Sequence, residues 1–149
     1  MNKELIKQVI EHFNEVPARL RMTAFWISVD RERSEVYGGH ISRDHRRFVN
    51  LGSGYGEPKT QRIPICKTVH CVAGAAVLIH DGRDAVPDHN SIPARAREIL
   101  DLTYDQSTSL FYPDRWPGRY STMYRKARSQ KERVRILTLR LKYLLKTGK

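Results

Sequence analysis

TVHCVAGAAVLIHDG, residues 68–82, is the stretch on which the fold turns. From Val69 to Ile79 it holds no Asp, Glu, Lys or Arg, and Ala73, Gly74, Ala75 and Ala76 stand together. The run is too long for an ordinary strand, and Gly82 follows it as a C′ glycine would. It therefore reads as a helix over about 68–81, with Thr68 as its N-cap. A helix that is apolar nearly all round is a buried one. At about a dozen apolar residues it falls short of the roughly 20 that a bilayer span needs. It is expected to be a core helix that the other segments cover.

Outward from this stretch the pattern is mainly helical. Leu5, Ile6, Val9, Ile10 and Phe13 keep the i, i+3, i+4, i+7 spacing of a one-faced helix, which Asn14 and Pro17 should end. Leu20 to Val29 is rich in aromatic and branched residues, with Trp26 as a core anchor, and periodicity does not separate strand from helix there. Arg31–Gln61 alternates charges and carries Gly38-Gly39, then LGSGYGEPKTQR. It reads as a loop-rich insertion over about 31–62, with at best a short hairpin around Val36-Tyr37 and Phe48-Val49. Pro93 opens a helix expected over Ala94–Leu102. Thr103 and Gln106 form a capping box for the next, which ends near Leu110-Phe111. Tyr112-Pro113 and Trp116-Pro117 bracket a tight turn. Tyr120, Met123, Tyr124 and Ala127 belong to a further helix. Ser129 and Glu132 form a second capping box, opening a last helix that places Val134, Leu137, Leu141, Leu144 and Leu145 on one face. The expected fold is mostly α, a single domain over 1–149 with five or six helices around the central one.

The 149 residues are enough for a core without disulfide or metal staples. Charge is the unusual feature. The net charge is +11, and residues 115–149 carry 12 Lys and Arg against one acid, Glu132. The first 114 residues balance at 15 basic and 15 acidic. All of the excess is C-terminal, which bears on polyanionic partners rather than on fold. Cys66 and Cys71 have no other cysteine to pair with, and no apolar leader follows Met1. A reducing cytoplasm is the expected setting.

Four landmarks in order carry a resemblance. They are Cys66-Lys67-Thr68-Val69-His70-Cys71-Val72-Ala73-Gly74-Ala75-Ala76, Ala96–Thr103 (AREILDLT), Leu110–Pro117 (LFYPDRWP), and Glu132-Arg133-Val134 with Thr147-Gly148-Lys149. The order resembles a family of small uncharacterised bacterial and phage proteins, whose pattern runs C-G-T-x-x-C-I-A-G-W-A, L-G-L-T, L-F-x-x-x-x-W-P and an E-R-containing last helix. Lys67 and Ala75 depart from it, where Gly and Trp are usual. The resemblance covers about residues 63–149. It implies a shared helical fold and a phage or mobile-element neighbourhood.

Several constellations bear on chemistry. Arg115, Arg119, Arg125, Lys126, Arg128, Lys131, Arg135, Lys142 and Lys146 can form a face for a polyanion, with Arg133 and Arg140 flanking them. Tyr112, Trp116, Tyr120 and Tyr124 are interleaved and, if exposed, would stack bases. Cys66, His70, Cys71 and His80 include metal-ligand types, but no second cysteine pair completes a structural zinc site. Buried thiols are the better reading. His80-Asp81 matches two residues of a metal-dependent phosphohydrolase dyad, a remote alternative. Gly54–Thr60 misses a phosphate-binding loop because Pro58 precedes the lysine. Cys71 as a nucleophile is set aside because it sits in the most apolar run. The sequence thus points to a non-enzymatic, cofactor-free protein that binds DNA or RNA through backbone contacts, with no membrane role. The alternative is a module docking on an acidic surface of a host or phage protein.

Overall fold

Residues 1–22, 26–28, 39–41, 47–50, 60–62, 68–82 and 91–149 are described by the computed structural model. Among them are six α-helices: α1 (Lys3–Glu15), α2 (Val72–Asp81), α3 (Ile92–Ile99), α4 (Tyr104–Phe111), α5 (Gly118–Lys126) and α6 (Gln130–Thr147). Five short strands are β1 (Trp26–Ser28), β2 (Gly39–Ile41), β3 (Arg47–Asn50), β4 (Thr60–Arg62) and β5 (Thr68–His70). The described chain is mostly helical, as expected.

Helix α2 is the buried helix, with Val72 to Val77 all inaccessible. It packs against α1, α3, α4 and β5, and its small residues permit the close approach. Its start differs from the expected one. Thr68 is no N-cap: Thr68–His70 forms β5, and Cys71, in an extended conformation without a side-chain cap, precedes the helix. The physical reason is tertiary pairing. β5 runs antiparallel to β1, with Ser28 opposite Thr68 and Trp26 opposite His70. The amide of Arg21 also donates to the His70 carbonyl at 2.9 Å. The β-branched Thr68 and Val69 suit this pleated pairing. The Leu20–Val29 segment, left open by periodicity, thus contains the strand β1. Gly82 closes α2 at φ 85, donating to the Leu78 carbonyl.

Within the stretch expected to be loop-rich, β3 pairs antiparallel with both β2 and β4, three strands where at best a hairpin was expected, setting His40 opposite Val49 and Phe48 opposite Gln61. Phe48-Val49 lies in this small sheet; Val36-Tyr37 and the Gly54–Lys59 loop lie outside the described residues. The environments of Trp26 and Cys66 lie outside them too.

Helix α1 buries Leu5, Ile6, Val9 and Phe13 against α2 and α6. Each large apolar side chain so buried contributes about 1.5–3 kcal/mol. Asn2 caps α1 by accepting from the Leu5 amide and docks it by donating to the Ile99 carbonyl. Helix α3 ends at Ile99, before the expected Leu102, because Asp101 adopts φ 50, a conformation that Asp tolerates better than most residues. The Thr103–Gln106 capping box is complete. Gln106 also donates from Nε2 to the Gly148 carbonyl at 2.7 Å, tying α4 to the end of α6. Gly148, at φ 72, terminates α6.

Candidate nucleic-acid interface

Helix α6 sorts its residues sharply. Val134, Ile136, Leu137, Leu141 and Leu144 are buried, while Lys131, Arg135, Lys142 and Lys146 are exposed. At 100° per residue these four cations fall within an arc of about 60°, opposite the buried arc, along about 22 Å of helix. Arg119 and Lys126 are seven residues apart on α5, which packs against α6, and both are exposed. Arg115, Arg125 and Arg128 are exposed as well. Every cation of the expected face therefore reaches solvent. None of the nine forms an ion pair among the described residues. Glu132, the lone acid of the segment, is spent on the backbone: Oε2 accepts from the Arg128 amide at 2.8 Å. In the expected capping box it would have reached the Ser129 amide. It binds the preceding amide, Arg128 N–H, instead, while Ser129 Oγ accepts from Glu132 N–H as expected.

The flanking arginines behave otherwise. Arg133 is buried, donating to the Ala127 carbonyl at 2.9 Å and to Gln130 Oε1 at 3.1 Å. Arg140 is fully buried, donating to Ser109 Oγ and the Lys149 carbonyl, each at 2.8 Å. Burial holds the Arg140 pKa below the usual arginine value. Both hold the fold together and leave the outer face to the other nine.

The interleaved aromatics are a correction. Trp116, Tyr120 and Tyr124 are buried, so they present no stacking surface. Trp116 donates from Nε1 to the Leu110 carbonyl at 2.9 Å and meets Tyr124 edge to face. Packing wins because each ring has an apolar cleft to fill between α4, α5 and α6, and the indole N–H finds an acceptor there. Tyr112 alone of the four stays partly exposed.

Of the metal-ligand types, His70 and Cys71 are buried and His80 is exposed. His80 Nδ1 lies 2.6 Å from Asp81 Oδ1, and Asp81 accepts two hydrogen bonds from Arg95 at 2.8 and 2.9 Å. These bonds hold the Asp81 carboxyl well below the usual range. No group of three or more His, Cys, Asp or Glu suited to a metal occurs among the described residues. No helix there is long and apolar enough to cross a membrane.

One cluster escaped the sequence reading. His12 Nε2 and His70 Nε2 are 2.8 Å apart, and Arg19 Nη1 approaches His12 Nδ1 at 3.3 Å. A guanidinium only donates, so His12 accepts at Nδ1 and donates from Nε2 to His70. Burial and the Arg19 charge push the His12 pKa down to about 4, and burial holds that of His70 well below the usual histidine value too. The partners are 58 residues apart, and no local pattern announces them.

The landmarks of the family resemblance are structural where they are described: a strand-to-helix junction, a capping box, the Trp116–Leu110 closure and the Glu132-Arg133 turn. Compared with protein-family models, curated proteins and solved structures, the chain matches none of them.

Proposed function

We propose that this chain is a non-enzymatic nucleic-acid-binding protein, related to phage or mobile-element proteins and working in the cytoplasm. It contacts DNA or RNA phosphates through Arg115, Arg119, Arg125, Lys126, Arg128, Lys131, Arg135, Lys142 and Lys146. One observation carries the reading: nine exposed cations on one segment lack a carboxylate partner among the described residues. A solvated face with ordinary charge balance would have its own acids. Here the only acid of the segment is turned to the backbone. Counterion release on neutralising phosphates supplies the affinity. Contacts of this kind position a strand without reading bases.

The test is charge reversal on the exposed arc. Arg135→Glu with Lys142→Glu should weaken binding to a fluorescent oligonucleotide about 10-fold or more at low salt. Unchanged affinity in that variant contradicts the proposal.

A second reading, a phage-encoded inhibitor or adaptor docking on an acidic host surface, draws on Leu139 and Met123. They stand 40% and 42% exposed on α6 and α5, and apolar contacts serve a protein partner better than a phosphate. A single stoichiometric protein partner that survives nuclease treatment would favour it.

A further inference from the structure

Helices α3 and α4 and the turn after them enclose a groove of about 540 Å³. Pro93, Ala94 and Arg97 form one wall at helical spacing, and Tyr104, Ser107, Thr108 and Phe111 form the other. Tyr112, Asp114 and Arg115 close one end. The size suits a single small ligand group. Tyr104 is 69% exposed and Tyr112 37% exposed, the two most exposed tyrosines of the described chain. The Arg97 guanidinium sits over the Tyr104 ring, 5.9 Å from its centroid. Neither Arg97 nor Arg115 has an ion pair among the described residues, although Asp114 lines the same groove.

We infer that this groove is a nucleotide subsite, in which one unstacked base of a single strand lies on Tyr104 or Tyr112 while its phosphates meet Arg97 and Arg115. The inference rests on the nucleic-acid reading above and extends it, because Arg115 belongs to both the basic face and the groove. Aromatic rings and guanidinium planes are what unpaired bases stack on. The flat phenol faces are here, whereas the aromatics between the other cations are buried. Asp114 favours this ligand over an acidic side chain, because its carboxylate can accept a hydrogen bond from a base amino group, a donor that a second carboxylate lacks. Double-stranded nucleic acid keeps its bases stacked and cannot fill the groove, so the subsite should favour single strands.

The experiment compares a single-stranded oligonucleotide with a duplex of the same sequence by fluorescence anisotropy. Tyr104→Ala/Tyr112→Ala should bind the single strand about 10-fold more weakly, in the range that base stacking supports. Its salt dependence should match the wild type, because no charge is removed, and its duplex affinity should be unaltered. Tyr104→Ala alone, at an exposed helix-start position, should show part of the loss and guards against misfolding of the double variant. If the wild type binds the single strand and both variants bind it equally well, the groove assignment fails while the basic-face reading stands. If the wild type binds no oligonucleotide at low salt, the reading beneath it fails and takes the groove with it. An oligoglutamate peptide that binds the wild type but not Tyr104→Ala/Tyr112→Ala, where no oligonucleotide binds, assigns the groove to an acidic protein segment and overturns the inference.

Discussion

Arg133 Nη2 donates to the Ala127 carbonyl at 2.9 Å, six residues back along the chain. With Glu132 accepting from the Arg128 amide, it locks the turn between α5 and α6 from both sides. Two adjacent residues satisfy a carbonyl left over at the end of one helix and an amide just before the next. That turn sets how the cations of α5 stand beside those of α6.

Arginines of this segment should therefore divide into two classes by stability. Arg133→Ala strands the buried Ala127 carbonyl and should cost about 2–3 kcal/mol, lowering Tm by about 5–10 °C. Arg135→Ala, two residues away and exposed, should change stability by no more than about 0.5 kcal/mol. Thermal unfolding of the two variants side by side checks this. Equal losses would contradict the division.

Trp116→Phe keeps the ring packing against Tyr124 but removes the donor to Leu110. That carbonyl lies in the last turn of α4, where no helical amide reaches it. The loss should be about 1–2 kcal/mol, read as a Tm lower by about 2–6 °C. A variant as stable as the wild type would show that the hydrogen bond contributes nothing net.

Much of the helical frame was legible because it rests on local signals. The Thr103–Gln106 box, the positive-φ glycines Gly82 and Gly148, and the apolar spacing of α1 and α6 each act within a few residues. What escaped depends on distant partners. Thr68 reads as a cap until β1, about 40 positions earlier, pairs with it. Arg133 and Arg140 read as surface charges, since residue type favours exposure, and only the carbonyl and hydroxyl acceptors around them account for their burial. The tyrosines and tryptophan between the cations carry no sequence mark that separates a core ring from a stacking one. The exposed cations were legible because helical spacing alone places Lys131, Arg135, Lys142 and Lys146 opposite the apolar stripe.

Acid should weaken the α1–β5 contact. His12 has its folded pKa pushed down to about 4 from an ordinary 6.5, and His70 shifts the same way. As pH falls below about 6.5 the unfolded chain takes up these protons first, so it gains on the folded state. The contribution is whole above that pH and is lost progressively toward pH 4. His12→Gln should flatten the fall of Tm between pH 6.5 and 4.5 relative to the wild type. Parallel Tm curves for the two proteins would show that the pair is not the titrating element.

The most direct measurement is the salt dependence of binding to a duplex oligonucleotide, for the wild type and for Lys131→Gln/Arg135→Gln/Lys142→Gln/Lys146→Gln. Each phosphate neutralised contributes about −0.9 to the slope of log K against log salt. If the α6 arc meets phosphates, the wild-type slope should be about −3 or steeper, and the variant's should be shallower by about 3. A wild-type slope near zero, or a variant whose slope is unchanged, would contradict a phosphate-binding role for the arc.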